Sequence, residues 1–164
     1  LETTENELKN IDQYLYSSDF QEKLKKQITK FNRYFSSVSY ELYGEKYALT
    51  YEIINNKKTN KPVYKFSTFN SNMSSGKKQG EILCFDLAYI MFADEEGISS
   101  LHFLLNDKKE LMHDNQLLKV SDFVIKKDIQ LVISILKDKL PEDLLSKANI
   151  IVELSQTDKL FKIE

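Results

Sequence analysis

Residues 73–107 decide how this chain folds. They open with Met73-Ser74-Ser75-Gly76-Lys77-Lys78-Gln79-Gly80, run on through an apolar stretch over 81–95, and end in Leu101-His102-Phe103-Leu104-Leu105-Asn106-Asp107. Residues 70–80 are polar and hold two of the four glycines, which predicts a loop. In the stretch that follows, Ile82, Phe85, Leu87, Ala88, Ile90, Met91 and Phe92 leave few polar faces, which predicts a buried helix stopped by Gly97. Residues 101–105 predict a buried central strand with a carboxylate at its C-terminal edge. Beyond it, 113–127 reads as an amphipathic helix with Leu117, Leu118, Phe123, Val124 and Ile125 apolar, and 129–136 as a second buried strand. A helix of that length between two buried strands is what a parallel crossover requires. The expected fold class is α/β.

Upstream, 46–54 alternates in strand fashion, with Tyr47, Leu49, Tyr51 and Ile53 on one face. A polar turn over 55–61 and a second alternating run over 63–69 complete a hairpin, and Pro62 suits the start of its second strand. Before it, Leu24, Ile28, Phe31, Phe35, Val38 and Leu42 repeat every 3.5 residues on average, the seam of a coiled coil or of a helix lying on a sheet. Gly44 closes that helix. Ser17, Ser18 and Asp19 separate it from an earlier segment bearing Leu8, Ile11 and Leu15, and offer an N-cap. Downstream, 141–147 predicts a short helix or turn, and 150–154 with 160–163 a closing hairpin.

Composition bounds the function. The chain has 164 residues, 41% hydrophobic and 29% charged, which suits one folded domain and argues against disorder. Lys and Arg number 23 against 25 Asp and Glu, a net charge of −2, so no basic nucleic-acid module shows in the total. One cysteine, Cys84, excludes an internal disulfide framework and a cysteine-built zinc site. No apolar run approaches the roughly 20 residues that span a bilayer, and no secretory leader is visible. The expectation is a cytoplasmic protein without a membrane partner. Residue 1 is Leu, so the chain is expected to start inside a longer one.

In open α/β sheets, ligands gather at the C-terminal ends of strands and the N-terminal ends of helices. The Ser74 hydroxyl, the amides of Ser75 and Gly76, and Lys77 with Lys78 form a phosphate cradle there, although a solvated turn would look the same. Asp107, at the end of its strand, is placed to hold Mg²⁺ through water, as an ordinary strand-end carboxylate would also be. Spacing does not converge His102, His113 and Asp107 on a metal. Cys84 reads as a small core residue, and Asp86 as either buried and paired or solvated. The aromatics Tyr34, Phe35, Tyr40, Tyr43, Tyr47 and Tyr51 read as packing between helix and hairpin rather than a base-stacking platform. Lys57, Lys58 and Lys61 with Lys77 and Lys78 do not make a stripe for DNA.

Met73-Ser74-Ser75-Gly76-Lys77-Lys78-Gln79, followed about thirty residues on by Leu104-Leu105-Asn106-Asp107, resembles the C-terminal half of an ABC-type ATPase head of the SMC/RecN kind. The stretches Gly76-Lys77-Lys78-Gln79-Gly80-Glu81-Ile82, Phe85-Asp86-Leu87-Ala88-Tyr89-Ile90, His113-Asp114-Asn115-Gln116 and Ile135-Leu136-Lys137-Asp138-Lys139-Leu140-Pro141 look closer still to one branch. That branch is an uncharacterised bacterial domain family at the C-terminus of coiled-coil, SMC-like ATPases. The resemblance implies a C-terminal lobe of a P-loop ATPase head over 44–164, with 1–43 as the end of a coiled-coil arm folded into one unit with it. It implies ATP and Mg²⁺ in the full-length parent, with none expected in the fragment alone. Ser74, Ser75, Gly76 and Lys77 would face the γ-phosphate held by a second head of a homodimer. Asp107, the Walker B-like catalytic carboxylate, would orient Mg²⁺, and Asp114 would bridge the dimer. The N-terminal Walker A lobe of the same parent is the further partner, and DNA an associated one.

The departures bear on activity. The chain has no Gly-x-x-x-x-Gly-Lys-Ser/Thr, so the fragment alone is expected to be inactive; in SMC-like proteins that motif lies beyond the coiled coil. Ser75 stands where the ABC loop carries Gly, and Lys108 where a hydrolytic head carries Glu. Glu110 is the nearest substitute carboxylate. No switch His ends the 129–136 strand. Such a head is expected to hydrolyse ATP slowly or not at all. The rival expectations are a non-hydrolytic dimerisation or docking domain of a degenerate head and, third, a lysine-based nucleic-acid module.

Overall fold

A computed structural model describes residues 2–69, 75–107 and 114–155. Helix α1 covers Glu2–Leu15 and α2 covers Ser18–Tyr43. Ser17 caps α2, its Oγ accepting the Phe20 N–H at 3.2 Å, and Asp19 complements the dipole in the first turn. Gly44 ends the helix at φ 71°, a left-handed setting that costs glycine little, and its N–H donates to Tyr40 O at 2.8 Å. Both boundaries were written in local chemistry.

Strands β1 (Ala48–Asn55) and β2 (Pro62–Phe69) pair antiparallel with Tyr51 opposite Phe66. The hairpin is stitched to α2. Asn32 donates through Nδ2 to Leu49 O at 2.9 Å and accepts the Leu49 N–H through Oδ1 at 2.7 Å. Buried Ser39 accepts the Tyr47 N–H at 3.0 Å. Backbone groups at the sheet edge that would otherwise lack partners are thus satisfied by helix side chains.

Helix α3 (Ser75–Glu95) lies antiparallel along α2. Near one end Gly80 meets Tyr43, and at the other Lys30 Nζ lies 2.6 Å from Glu96 Oε1 while the Tyr34 hydroxyl donates to Glu95. Between them the apolar seam of α2 (Phe31, Phe35, Val38, Leu42) is buried with Leu83, Cys84 and Leu87. Ring centroids lie 5.0 Å apart for Phe31 and Phe85, and 5.8 Å apart for Phe35 and Tyr47. Full burial of each such ring stabilises the fold by about 1.5–3 kcal/mol. From Phe31 onward the 3.5-residue seam therefore faces α3 and the hairpin, whereas Leu8 and Ile11 of α1 stand exposed.

After Gly97 (φ 66°), whose turn is closed by the Ile98 N–H donating to Ala93 O at 2.8 Å, the chain forms β3 (Phe103–Asn106), α4 (Asp114–Lys126) and β4 (Gln130–Ile133). The two strands pair in parallel, with Leu104 opposite Leu131 and Asn106 opposite Ile133. Leu117, Val120, Phe123 and Val124 fix α4 in the core. A 3-10 turn (Lys137–Lys139) and α5 (Glu142–Leu145), anchored by Leu144, follow.

Three expectations need correction. Residues 75–80 are helix, not loop, because packing against Tyr43 outweighs the weak helical preference of Ser and Gly; residues 70–74 lie outside the described residues. The 101–105 segment is not a buried central strand. Leu101 is 80% and Leu105 73% exposed, since the helices cover only the Leu104 and Leu131 face. Finally, no strand forms over 150–154, where Ile150, Ile151, Val152 and Leu154 are exposed; its expected partner, 160–163, lies outside the described residues.

Candidate functional site

The candidate groups sit on three successive elements, α3, β3 and α4. At about 1.5 Å per residue α3 is roughly 30 Å long. The tight turn at Gly97 brings the chain back beside α3, where His102 meets Asp94, and at about 3.3 Å per residue the four residues of β3 run about 13 Å. The gap between the two segments is lined by Phe85, Asp86 and Tyr89 on one side and Ser100, Leu101 and Phe103 on the other, as opposed directions require. Helix α4 follows β3, and the parallel β4 finishes beside the end of β3, with the Ser134 N–H donating to Asn106 O at 3.0 Å.

The backbone of Ser75, Gly76 and Lys77 forms the first turn of α3. The first four N–H groups of any helix lack an intrahelical acceptor, and the dipole adds positive potential, so this turn presents donors to an anion. Asn106 is buried at the end of β3, and Asp107 follows it, exposed. Asp114 is the exposed first residue of α4, where its charge complements that helix's own amides. Ser74 and Glu110, with Lys108 and His113, lie outside the described residues. Taken separately, the first turn of α3 offers amide donors of the kind that meet a phosphate, and exposed Asp107 a carboxylate of the kind that meets a divalent cation.

The opposite end is occupied differently. His102, before β3, holds Asp94 Oδ1 through Nε2 at 2.9 Å, and this hydrogen bond raises the imidazole pKa above its ordinary value. His102 is therefore engaged away from Asp107. Among the described residues no group of three His, Cys, Asp or Glu could hold a metal. Cys84 is a buried core residue, as its apolar surroundings predicted.

Sequence reading missed the bracing of the α3 start. Thr68 Oγ1 donates to Glu81 from the end of β2, and the Tyr43 ring lies against Gly80. A glycine just ahead of an apolar periodic run, where helix interiors disfavour it, was the available signal.

The profile of a bacterial family described as "Uncharacterised protein conserved in bacteria (DUF2326)" matches residues 38–164. No curated protein matches the chain. Among solved structures, one from work on the structural biochemistry of ATP-driven dimerization and DNA-stimulated activation of SMC ATPases aligns at 20% identity. The match covers 80% of this chain and 80% of that one, with a TM-score of 0.50. A second, an SMC head bound to the C-winged helix domain of ScpA, aligns at 15% identity over 81% of this chain and 41% of that one, with a TM-score of 0.46. The first of these shows a mixed helix and strand fold of the SMC ATPase head kind. Among the described residues no helix is long and apolar enough to cross a membrane.

Proposed function

The chain belongs to the bacterial DUF2326 family, and from that membership and the shared head fold we propose that it is the C-terminal lobe of a coiled-coil, SMC-like ATPase. In this reading residues 44–164 form the lobe, and residues 1–43 bring in the arm through α1 and the exposed half of α2. The lobe supplies the signature turn, the Walker B-like carboxylate and the D-loop acid for ATP-dependent dimerisation of two heads, in a process acting on DNA.

What supports the reading is the order of elements, α3, then β3 ending just before Asp107, then α4, with β3 and β4 parallel, in a chain that shares the SMC-head fold. The residue types fit a nucleotide and its metal: a helix start offers amide donors, and Asp107, just after β3, is an exposed carboxylate. Ser74 and the amides of Ser75 and Gly76 would hold the γ-phosphate presented by the opposite head, with Lys77 adding positive charge. Asp107 would accept from a metal-bound water, and Asp114 would meet the partner head. When bound, Mg²⁺ supplies neutralisation of triphosphate charge. Lys108, following Asp107, cannot accept a proton from an attacking water, so binding and dimerisation outrun turnover.

The lobe also needs a neighbour. Parallel sheets are covered on both faces, and two strands alone are not a stable sheet. Here β3 and β4 are four residues each, and Leu101, Phe103 and Leu105 stand exposed, the first two beside the open gap to α3. The phosphate-loop lobe of the same parent is the natural cover, and it would bring the missing Gly-x-x-x-x-Gly-Lys-Ser/Thr.

Sedimentation of the full-length protein with and without ATP and Mg²⁺ tests the reading. Dimers are expected only with nucleotide; Ser74→Arg abolishes them and Asp107→Asn weakens them. Dimers indifferent to ATP point instead to the second reading, a non-hydrolytic docking domain, which Lys108 favours.

A further inference from the structure

Tyr43 and Gly80 approach more closely than any side chain on residue 80 would allow. A Cβ on Gly80, in the second turn of α3, would lie 2.4 Å from Cζ and 2.6 Å from Oη of Tyr43, the last residue of α2. Glycine inside a helix weakens it, so its presence here calls for a cause, and the ring supplies one. The Tyr43 hydroxyl is shielded and has no hydrogen-bond partner among the described residues. Burial, then Cys84 and Tyr47, push its pKa up. The ring is held for its shape rather than for a bond. At the far end the same two helices are joined by polar groups, with Lys30 and Gln27 on Glu96. Helix α2 therefore grips α3 at both ends, and the steric grip is the one beside Ser75-Gly76-Lys77.

We propose that Tyr43 is a positioning residue. Its ring, seated on Gly80, sets the height and rotation of the first turn of α3 against α2, and with them the direction of the Ser75, Gly76 and Lys77 amides. What that turn faces rests on the head reading above; the placement itself does not. Helix α2 runs for 26 residues to its cap at Gly44, so a shift of its outer end reaches the turn through this ring.

Hydrogen exchange in the full-length protein tests the proposal at the amides of residues 79–82, which in a regular helix donate to the carbonyls of 75–78. Tyr43→Leu and Gly80→Ala are each expected to raise exchange there about tenfold, Tyr43→Phe to leave it within about twofold, and the Tyr43→Leu, Gly80→Ala pair to return toward wild type as the methyl fills the vacated space. Protected amides in β1 and β2 certify that each variant is folded. Should Gly80→Ala lose that protection, the Tyr43 variants, which add no volume, decide. Unchanged exchange at 79–82 in folded Tyr43→Leu overturns the proposal, as does Tyr43→Phe behaving like Tyr43→Leu. Nucleotide-driven association on the same samples separates the two ideas. The expected exchange pattern in a protein that ignores ATP upholds Tyr43 and overturns the head reading. Unchanged exchange in a protein that associates with ATP overturns Tyr43 alone.

Discussion

The two sheets of this molecule are built from similar apolar sequence and end in opposite conditions. The β1–β2 hairpin is closed off: Asn32 and Ser39 satisfy its backbone from α2, Glu52 pairs with Lys65 on its outer face, and Tyr16 and Phe20 lie against Tyr64. Among the described residues the β3–β4 pair is covered on one face only. Leu104, Leu131 and Ile133 pack on the core, while Leu101 and Leu105 face an open groove side. The first region completes itself with its own helices; the second is, on the proposed reading, part of a larger sheet. Stability should therefore concentrate in the first, and association in the second.

The sharpest way to break this contrast is to remove the ring that joins α2 to the hairpin. Phe35 is 0% exposed and touches both Tyr47 and Phe85. Phe35→Ala is expected to cost about 3–5 kcal/mol through lost burial and the cavity left behind, read as a fall in the denaturant midpoint. A loss under about 1 kcal/mol would mean the seam is not the core. Next in size is Asn32→Ala, which strands the N–H and C=O of Leu49 together. The expected cost is about 1–3 kcal/mol, with faster amide exchange confined to β1.

On the other sheet, Leu105→Lys should change the stability of the chain by less than about 0.5 kcal/mol, because the site is already solvated. On the proposed reading, the same change in the full-length protein should damage association with the phosphate-loop lobe. Equal damage to stability in both settings would show that the chain buries this face by itself.

How much of this was legible in the sequence follows the same division. The α2 ends were readable because Ser17 and Gly44 act on their own neighbours. The hairpin was readable because alternation is local. Helix α4 and its parallel crossover were readable from length and order. Residues 75–80 were not, since Ser, Gly, Lys and Gln carry no apolar period and the ring that keeps them helical comes from α2. The exposure of Leu101 and Leu105 was also hidden. An apolar strand looks the same in sequence whether its second cover lies in this chain or elsewhere. For the candidate site, the order of helix, strand, helix and strand was legible, and a common rim at their ends belongs to the proposed function. The bracing of that rim by Thr68 and Tyr43 depends on contacts between distant segments, and only the fold displays it.

The smallest expected effect tests the seam between the two regions. His102, just before β3, bonds Asp94 in the last turns of α3, and its Nδ1 lies 3.4 Å from Asp128 O in the turn leading to β4. The Asp94 hydrogen bond, and then its charge, raise the folded pKa above the 6.5 of a free imidazole. The charged ring thus favours the folded state. That contribution is fully present below the unfolded pKa and disappears as pH rises through the raised folded value. The group is solvent-exposed, so the effect is small and weakens further with salt. Urea midpoints of wild type and His102→Gln should therefore differ most at pH below 6.5 and converge on the alkaline side. A difference that stays constant across this range, or widens toward alkaline pH, would show that His102 holds the start of β3 through packing rather than through its charge.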